Sequence, residues 1–143
     1  MTILILIIGL ILTIFITGKI NLSAKFMKEV TELFAQSGNI SDQSFHKSQL
    51  DSLPEPVQRY FNRVLKDGQP YISYARIKHT GQFKTGPSKD WIDIRGEQYA
   101  TTGKPGFIWK GTTSMFVARD MYISDKGRLI ATLFSIYNIA DAK

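Results

Sequence analysis

The chain has 143 residues, no cysteine and a formal net charge of +6. Without cysteine there is no disulfide framework, thiolate metal site or thiol nucleophile, and nine Phe, six Tyr and two Trp argue for a packed core over a linker. The positive excess sits late, with eleven Lys or Arg against six Asp or Glu in residues 71–143; it suits anionic lipid headgroups, another acidic partner, or solubility alone.

Residues 1–18, MTILILIIGLILTIFITG, carry no ionisable side chain, and Lys19 is the first. As a helix they extend roughly 27 Å, close to the ~30 Å hydrocarbon thickness of a bilayer. Residues 1–20 therefore read as a transmembrane anchor, with the lipid bilayer as partner. Thr2, Thr13 and Thr17 are compatible with this, because a hydroxyl can bond a carbonyl one turn earlier. A cleaved export signal would have a cationic start and a shorter apolar run, and the best cut, after Ala24, puts Leu22 where a small residue is wanted. A buried soluble helix rarely stays apolar on every face. Lys19, Lys25 and Lys28 follow the segment, which by the positive-inside tendency keeps the next domain cytoplasmic. Long domains cross regardless of a few such charges, so the side stays open.

Residues 21–52 are predicted as an amphipathic helix and a polar linker. Leu22, Phe26, Val30, Leu33 and Phe34 fall at helical spacing, and Gly38 is a plausible stop. The helix either continues the anchor or lies along the interface. Residues 38–52, GNISDQSFHKSQLDS, are polar and punctuated by Gly and Ser.

Residues 53–143 are predicted as a helix plus an antiparallel β domain, incomplete at its end. In LPEPVQRYFNRVLKDGQP, Ser52 is the expected cap and Pro54 and Pro56 sit in the first turn. Leu53, Val57, Tyr60, Phe61, Val64 and Leu65 form an apolar stripe, expected to bury against the β region that follows. Asp67-Gly68 is the expected stop.

From Tyr71 the period changes to two. Residues 72–84 and DWIDIRGEQYAT (90–101) read as strands around the turn Thr85-Gly86-Pro87-Ser88. FIWKGTT (107–113), SMFVARDMYIS (114–124) and RLIATLFSIYNIA (128–140) follow, the last two through an Asp125-Lys126-Gly127 turn with glycine placed for positive φ. Five strands with short turns make a meander, so the expected class is α+β: an N-terminal transmembrane helix, amphipathic helices, then an antiparallel sheet. An apolar last strand normally needs a neighbour, which favours either folding under the helix or a fragment of a larger domain.

The runs LPEPVQRYFNRVLKDGQPY, IKHTGQFKTG, WIDIRGEQYATTGKPGFIWKG and VARDMYISDKGRLIATLFSIYNIADA, in order over residues 53–142, resemble an uncharacterised bacterial domain-of-unknown-function family. Its members commonly carry an N-terminal membrane segment, which implies a single-pass protein of the bacterial inner membrane. They usually continue with further strands, which implies that this chain is truncated. The resemblance implies a curved antiparallel sheet with helices on its concave side, similar to bacterial lipoprotein carriers. It names no catalytic residue.

The candidate chemistry is sparse. His46 and His79 are the only histidines and lack a second ligand at metal spacing, and no Ser-His-Asp pattern accompanies them. GQFKTGPSK has Pro87 where a phosphate loop needs Lys. Asp93 and Glu97, on one strand face with Trp91, Arg95 and Tyr99, lie roughly 13 Å apart, beyond the spacing of paired glycosidase carboxylates; Arg95 between them suggests an ion-pair stripe. Aromatic and basic strand residues would suit single-stranded nucleic acid, but an anchored chain rarely needs that surface, and no nucleic acid, metal or cofactor is expected. The favoured expectation is a membrane-anchored, non-enzymatic β domain whose concave apolar face binds a lipidic or other apolar ligand or a partner protein, with Phe83, Trp91, Phe107, Trp109, Phe116 and Phe134 as candidates. An envelope hydrolase and an inactive fragment of a longer family member are the alternatives.

Overall fold

The computed structural model describes residues 1–143. Helix α1 (Thr2–Ser37) leads, then a 3-10 turn (Lys47–Leu50) and helix α2 (Glu55–Val64). Strands β1 (Tyr74–Phe83), β2 (Ile92–Thr101), β3 (Gly106–Thr112), β4 (Phe116–Ile123), β5 (Lys126–Leu133) and β6 (Tyr137–Ala142) form one antiparallel sheet in sequence order. The class is α+β.

The apolar leader and the amphipathic segment are one unbroken 36-residue helix, so the first of the two expected arrangements holds. It stops where Gly38 takes φ 67, a left-handed value that a glycine adopts without penalty. Its first half has no buried residue and meets the rest of the chain only near Gly18, and α1 is the one helix long and apolar enough to cross a membrane. Its second half covers the sheet. Phe26, Val30 and Leu33, spaced four and three apart, lie on one helix face and bury against Tyr99, Ile108, Met121 and Ile130. Phe26 and Ile108 are 0% exposed and centre the core.

Cross-strand partners share a face and strand neighbours alternate, so the register sorts the sheet into two surfaces. Tyr99, Ile108, Met121 and Arg128 form one row beneath α1, and Glu97, Lys110, Arg119 and Ile130 the next; this is the inner face. The outer face includes the row His79, Gly96, Gly111, Ala118, Ala131 and Ala140, flanked by Ile77, Gln98, Trp109, Asp120, Leu129 and Ala142.

Four expectations need correction. The α2 stripe does not bury against the sheet: α2 has no buried residue, touches the 3-10 turn, and leaves Tyr60 and Val64 exposed. The inner face is already occupied by α1. The α2 N-cap is Pro54, with no side-chain cap from Ser52. The last predicted strand is two strands, because the chain reverses at Phe134 and Ser135, both at positive φ (50° and 63°), to give β5 and β6. In the preceding hairpin Ser124 and Asp125 take the positive φ values, and Gly127 lies within β5.

Truncating Phe26 should therefore be costly. F26A is expected to lose about 3–5 kcal/mol of stability, whereas Y60A on exposed α2 should stay within about 0.5 kcal/mol. Urea unfolding in detergent micelles, followed by near-ultraviolet circular dichroism, measures both; comparable losses would contradict the assignment of the core to α1.

Candidate functional site

The six candidate aromatics divide by register into two groups. Phe83, Phe107, Trp109 and Phe116 all point to the outer face, since Phe83 pairs with Ile92, Phe107 with Ala100, Trp109 with Gln98 and Phe116 with Leu133. The Phe83 and Phe116 rings lean toward each other and meet edge-on at 6.1 Å between centroids. Trp109 Nε1 donates to His79 Nε2 at 2.9 Å, and the two rings lie nearly parallel. These rings rest on glycine: a Cβ at Gly96 would meet the His79 ring at 2.0 Å and one at Gly111 the Trp109 ring at 2.2 Å. Glycines in these two strands thus make room for aromatic side chains on the outer face.

Trp91 and Phe134 lie elsewhere. Trp91 precedes β2 and is 59% exposed, with Lys84 Nζ 5.0 Å above its ring. Phe134, 48% exposed, is in the β5–β6 turn. In a meander the β1–β2, β3–β4 and β5–β6 connections share one end of the sheet. That end abuts the apolar half of α1: a Cβ on Gly18 would meet the Ser135 carbonyl oxygen at 2.8 Å, so only glycine admits the turn this closely. The opposite end meets the C-terminus of α1, where Ser124 and Gln36 hydrogen-bond. The rim beside the apolar helix therefore presents Trp91, Met115, Phe134 and Ile136, all exposed.

Polar chemistry collects on the inner face. Glu97 Oε1 accepts from Arg76 Nε and from the Tyr99 hydroxyl, each at 2.9 Å, and Lys110 Nζ lies 3.8 Å from Oε2. Arg95 is not the partner, which corrects the expected stripe. Burial alone would raise the Glu97 carboxyl, but the hydrogen bonds from Arg76 and Tyr99 and the charges of Arg76 and Lys110 outweigh it and hold it below the usual carboxylate range. Burial, then Glu97, pushes the Tyr99 phenol up. Lys110 also sits 4.0 Å over the Phe26 ring, a cation–π contact between sheet and helix. On the other flank Arg128 grips Asp141 with two bonds, at 2.8 and 2.6 Å.

Sequence reasoning missed Arg119. It is 2% exposed, pairs through Nη1 with Glu29 of α1, and its Nε has no hydrogen-bond partner. The signal was present: in VARDM, Arg119 shares the inward parity of Val117 and Met121. It lines a cleft of about 510 Å³ between α1 and β4–β6, with Thr17, Asn21, Lys25, Thr132 and Asn138.

A family of unknown function, DUF6544, matches residues 43–143, a range that takes in the 3-10 turn, α2 and all six strands. No curated protein and no solved structure matches the chain.

Because Glu97 is depressed, its contribution to stability is fully present above an ordinary carboxylate pKa of about 4.3 and is lost as pH falls through its lower folded value. Urea midpoints should thus fall on acidification below about pH 4, and E97Q should show a lower midpoint at neutral pH with a shallower acid-side decline. Parallel pH profiles for the two proteins would remove Glu97 from this role.

Proposed function

The chain belongs to this DUF6544 family of unknown function, and from its geometry we propose that it is a single-pass membrane-anchored protein whose outer sheet face binds a lipidic or other apolar ligand. The carrying observation is an asymmetry between the faces. The inner face is apolar only beneath α1; on either side it turns to ion pairs, Arg76 with Glu97 and Arg128 with Asp141. The outer face is covered by no element of the chain, yet presents Ile77, Phe83, Ile94, Trp109, Phe116, Leu129 and Leu133. Apolar area exposed on this scale marks an interaction surface.

The rim supports the membrane part of the reading. With residues 2–18 in the bilayer, the sheet end beside Gly18 faces the headgroup layer, where Trp91 and its partner Lys84 suit an interfacial position. Phe134 holds φ 50, where a bulky residue costs roughly 1–2 kcal/mol, and its ring is turned outward beside the anchor. Strain of this kind persists where it serves a site. A ligand leaving the bilayer at this rim meets Phe83 and Phe116 first, then Trp109, and Phe107 at the far end.

Paired F83E and F116E changes should weaken binding of a fluorescent fatty-acid probe by at least about tenfold, with near-ultraviolet dichroism retained because both rings lie outside the core. A wild-type chain that shifts no probe and carries no co-purified lipid refutes the ligand. In the same proteins F134N should raise the unfolding midpoint by relieving the turn, while weakening contact with vesicles. A loss of stability in F134N would contradict the strain at this turn.

A further inference from the structure

The outer face is not the only place where a lipid fits. The cleft between α1 and β4–β6 has one wall formed by α1 from Thr13 to Lys25 and the other by Arg119, Thr132, Ser135, Ile136 and Asn138. A cleft against a helix is ordinary; a buried guanidinium with an idle donor is not. Glu29 takes one of the five N–H donors of Arg119, and Nε bonds nothing although it is shielded from water. An unmet charged donor at such a position is costly, and the remaining terminal N–H groups of the guanidinium, which bond nothing else in the chain, are the donors an anionic oxygen in the cleft would meet.

The neighbouring groups point the same way. Lys25 adds a second positive charge at the cleft. Thr132 Oγ1 donates to Asn138 Oδ1 at 2.9 Å, which leaves the Asn138 amide protons as donors. The nearby carboxylates are already engaged, Glu29 by Arg119 and Asp141 by Arg128. One net acceptor is missing from an otherwise cationic, donor-rich site.

We infer that this cleft binds the phosphate of an anionic phospholipid, with the headgroup at Arg119, Lys25 and Asn138 and the acyl chains descending along α1 past Ile14. The inference rests on the proposed membrane anchor. It selects a lipid over a free phosphate because the α1 wall runs about 18 Å along the helix, from residues of the span to the first turns beyond it. A free phosphate needs no cleft of that length, which carries Ile14, Leu22 and Ile136 among Thr13, Thr17 and Asn21. Lys19 at the same level adds charge attractive to an anionic leaflet.

The test uses the full chain in nanodiscs of phosphatidylcholine with a minor fraction of phosphatidylglycerol, and native mass spectrometry to count retained lipids. The wild type should retain phosphatidylglycerol over phosphatidylcholine by about tenfold relative to its abundance. K25Q should reduce that preference, and the paired E29Q/R119Q change, which swaps the buried ion pair for two amides, should abolish it. Should the paired variant fail to fold, K25Q carries the test alone, since Lys25 is exposed. Equal retention of both lipids by the wild type, or a preference unchanged in the variants, overturns the site. Displacement of the lipid by millimolar inorganic phosphate overturns the lipid source in favour of a free phosphate. Alkaline extraction separates the two readings: a chain that washes off refutes the anchor and with it this site, whereas a chain that stays without preference refutes the cleft alone.

Discussion

Everything in this molecule follows from the continuity of α1. The helix is apolar on every side through residue 18 and apolar on one stripe from Phe26 to Phe34, and no break separates the two halves. The stripe is the roof of the core, so the sheet cannot move relative to the apolar half without opening that core. Each of Phe26, Val30 and Leu33 contributes roughly 1.5–3 kcal/mol by burial. The contact of Gly18 with the β5–β6 turn sets the height at which the sheet meets the apolar half.

A single helix is also too narrow for the sheet it covers. Six strands extend about 24 Å across at ~4.8 Å per strand, and a helix with its side chains is about 10–12 Å wide. The inner face accordingly has apolar side chains along the helix and ion pairs on both flanks. Arg119, which is buried, and Lys110, which is partly so, lie between these zones, where a charge shielded from water must be tied to something: Lys110 to the Phe26 ring and Glu97, Arg119 to Glu29. The outer face lacks this logic. It is mostly apolar, His79, Gln98 and Asp120 apart, and holds no ion pair, which is why the proposed ligand is placed there and the proposed headgroup in the cleft.

Much of the architecture was readable from local pattern. The two-residue alternation marked the strands, and the absence of charge marked the first half of α1. The pairing of helix with sheet was not, because α2 has the cleaner stripe of the two candidates and stripe quality reports segregation of side chains, not the presence of a partner. The sixth strand was hidden because its turn uses Phe134 and Ser135 at positive φ, where the usual Asn-Gly signature is missing. Of the candidate aromatics, residue type alone could not divide the outer face from the rim; that needs the register and the side of the sheet to which α1 is docked. Arg119 needed both its strand parity and the position of Glu29, ninety residues away.

The most direct test of the coupling between the proposed anchor and the sheet is the depth of the rim. The chain has no cysteine, so F134C, M115C and D125C each offer one site for an environment-sensitive fluorophore. With the protein in vesicles containing brominated lipid, labels at positions 134 and 115 should be quenched and blue-shifted, while the label at 125 stays in water. Equal, water-like emission from all three would mean that α1 does not hold this end of the sheet against the bilayer.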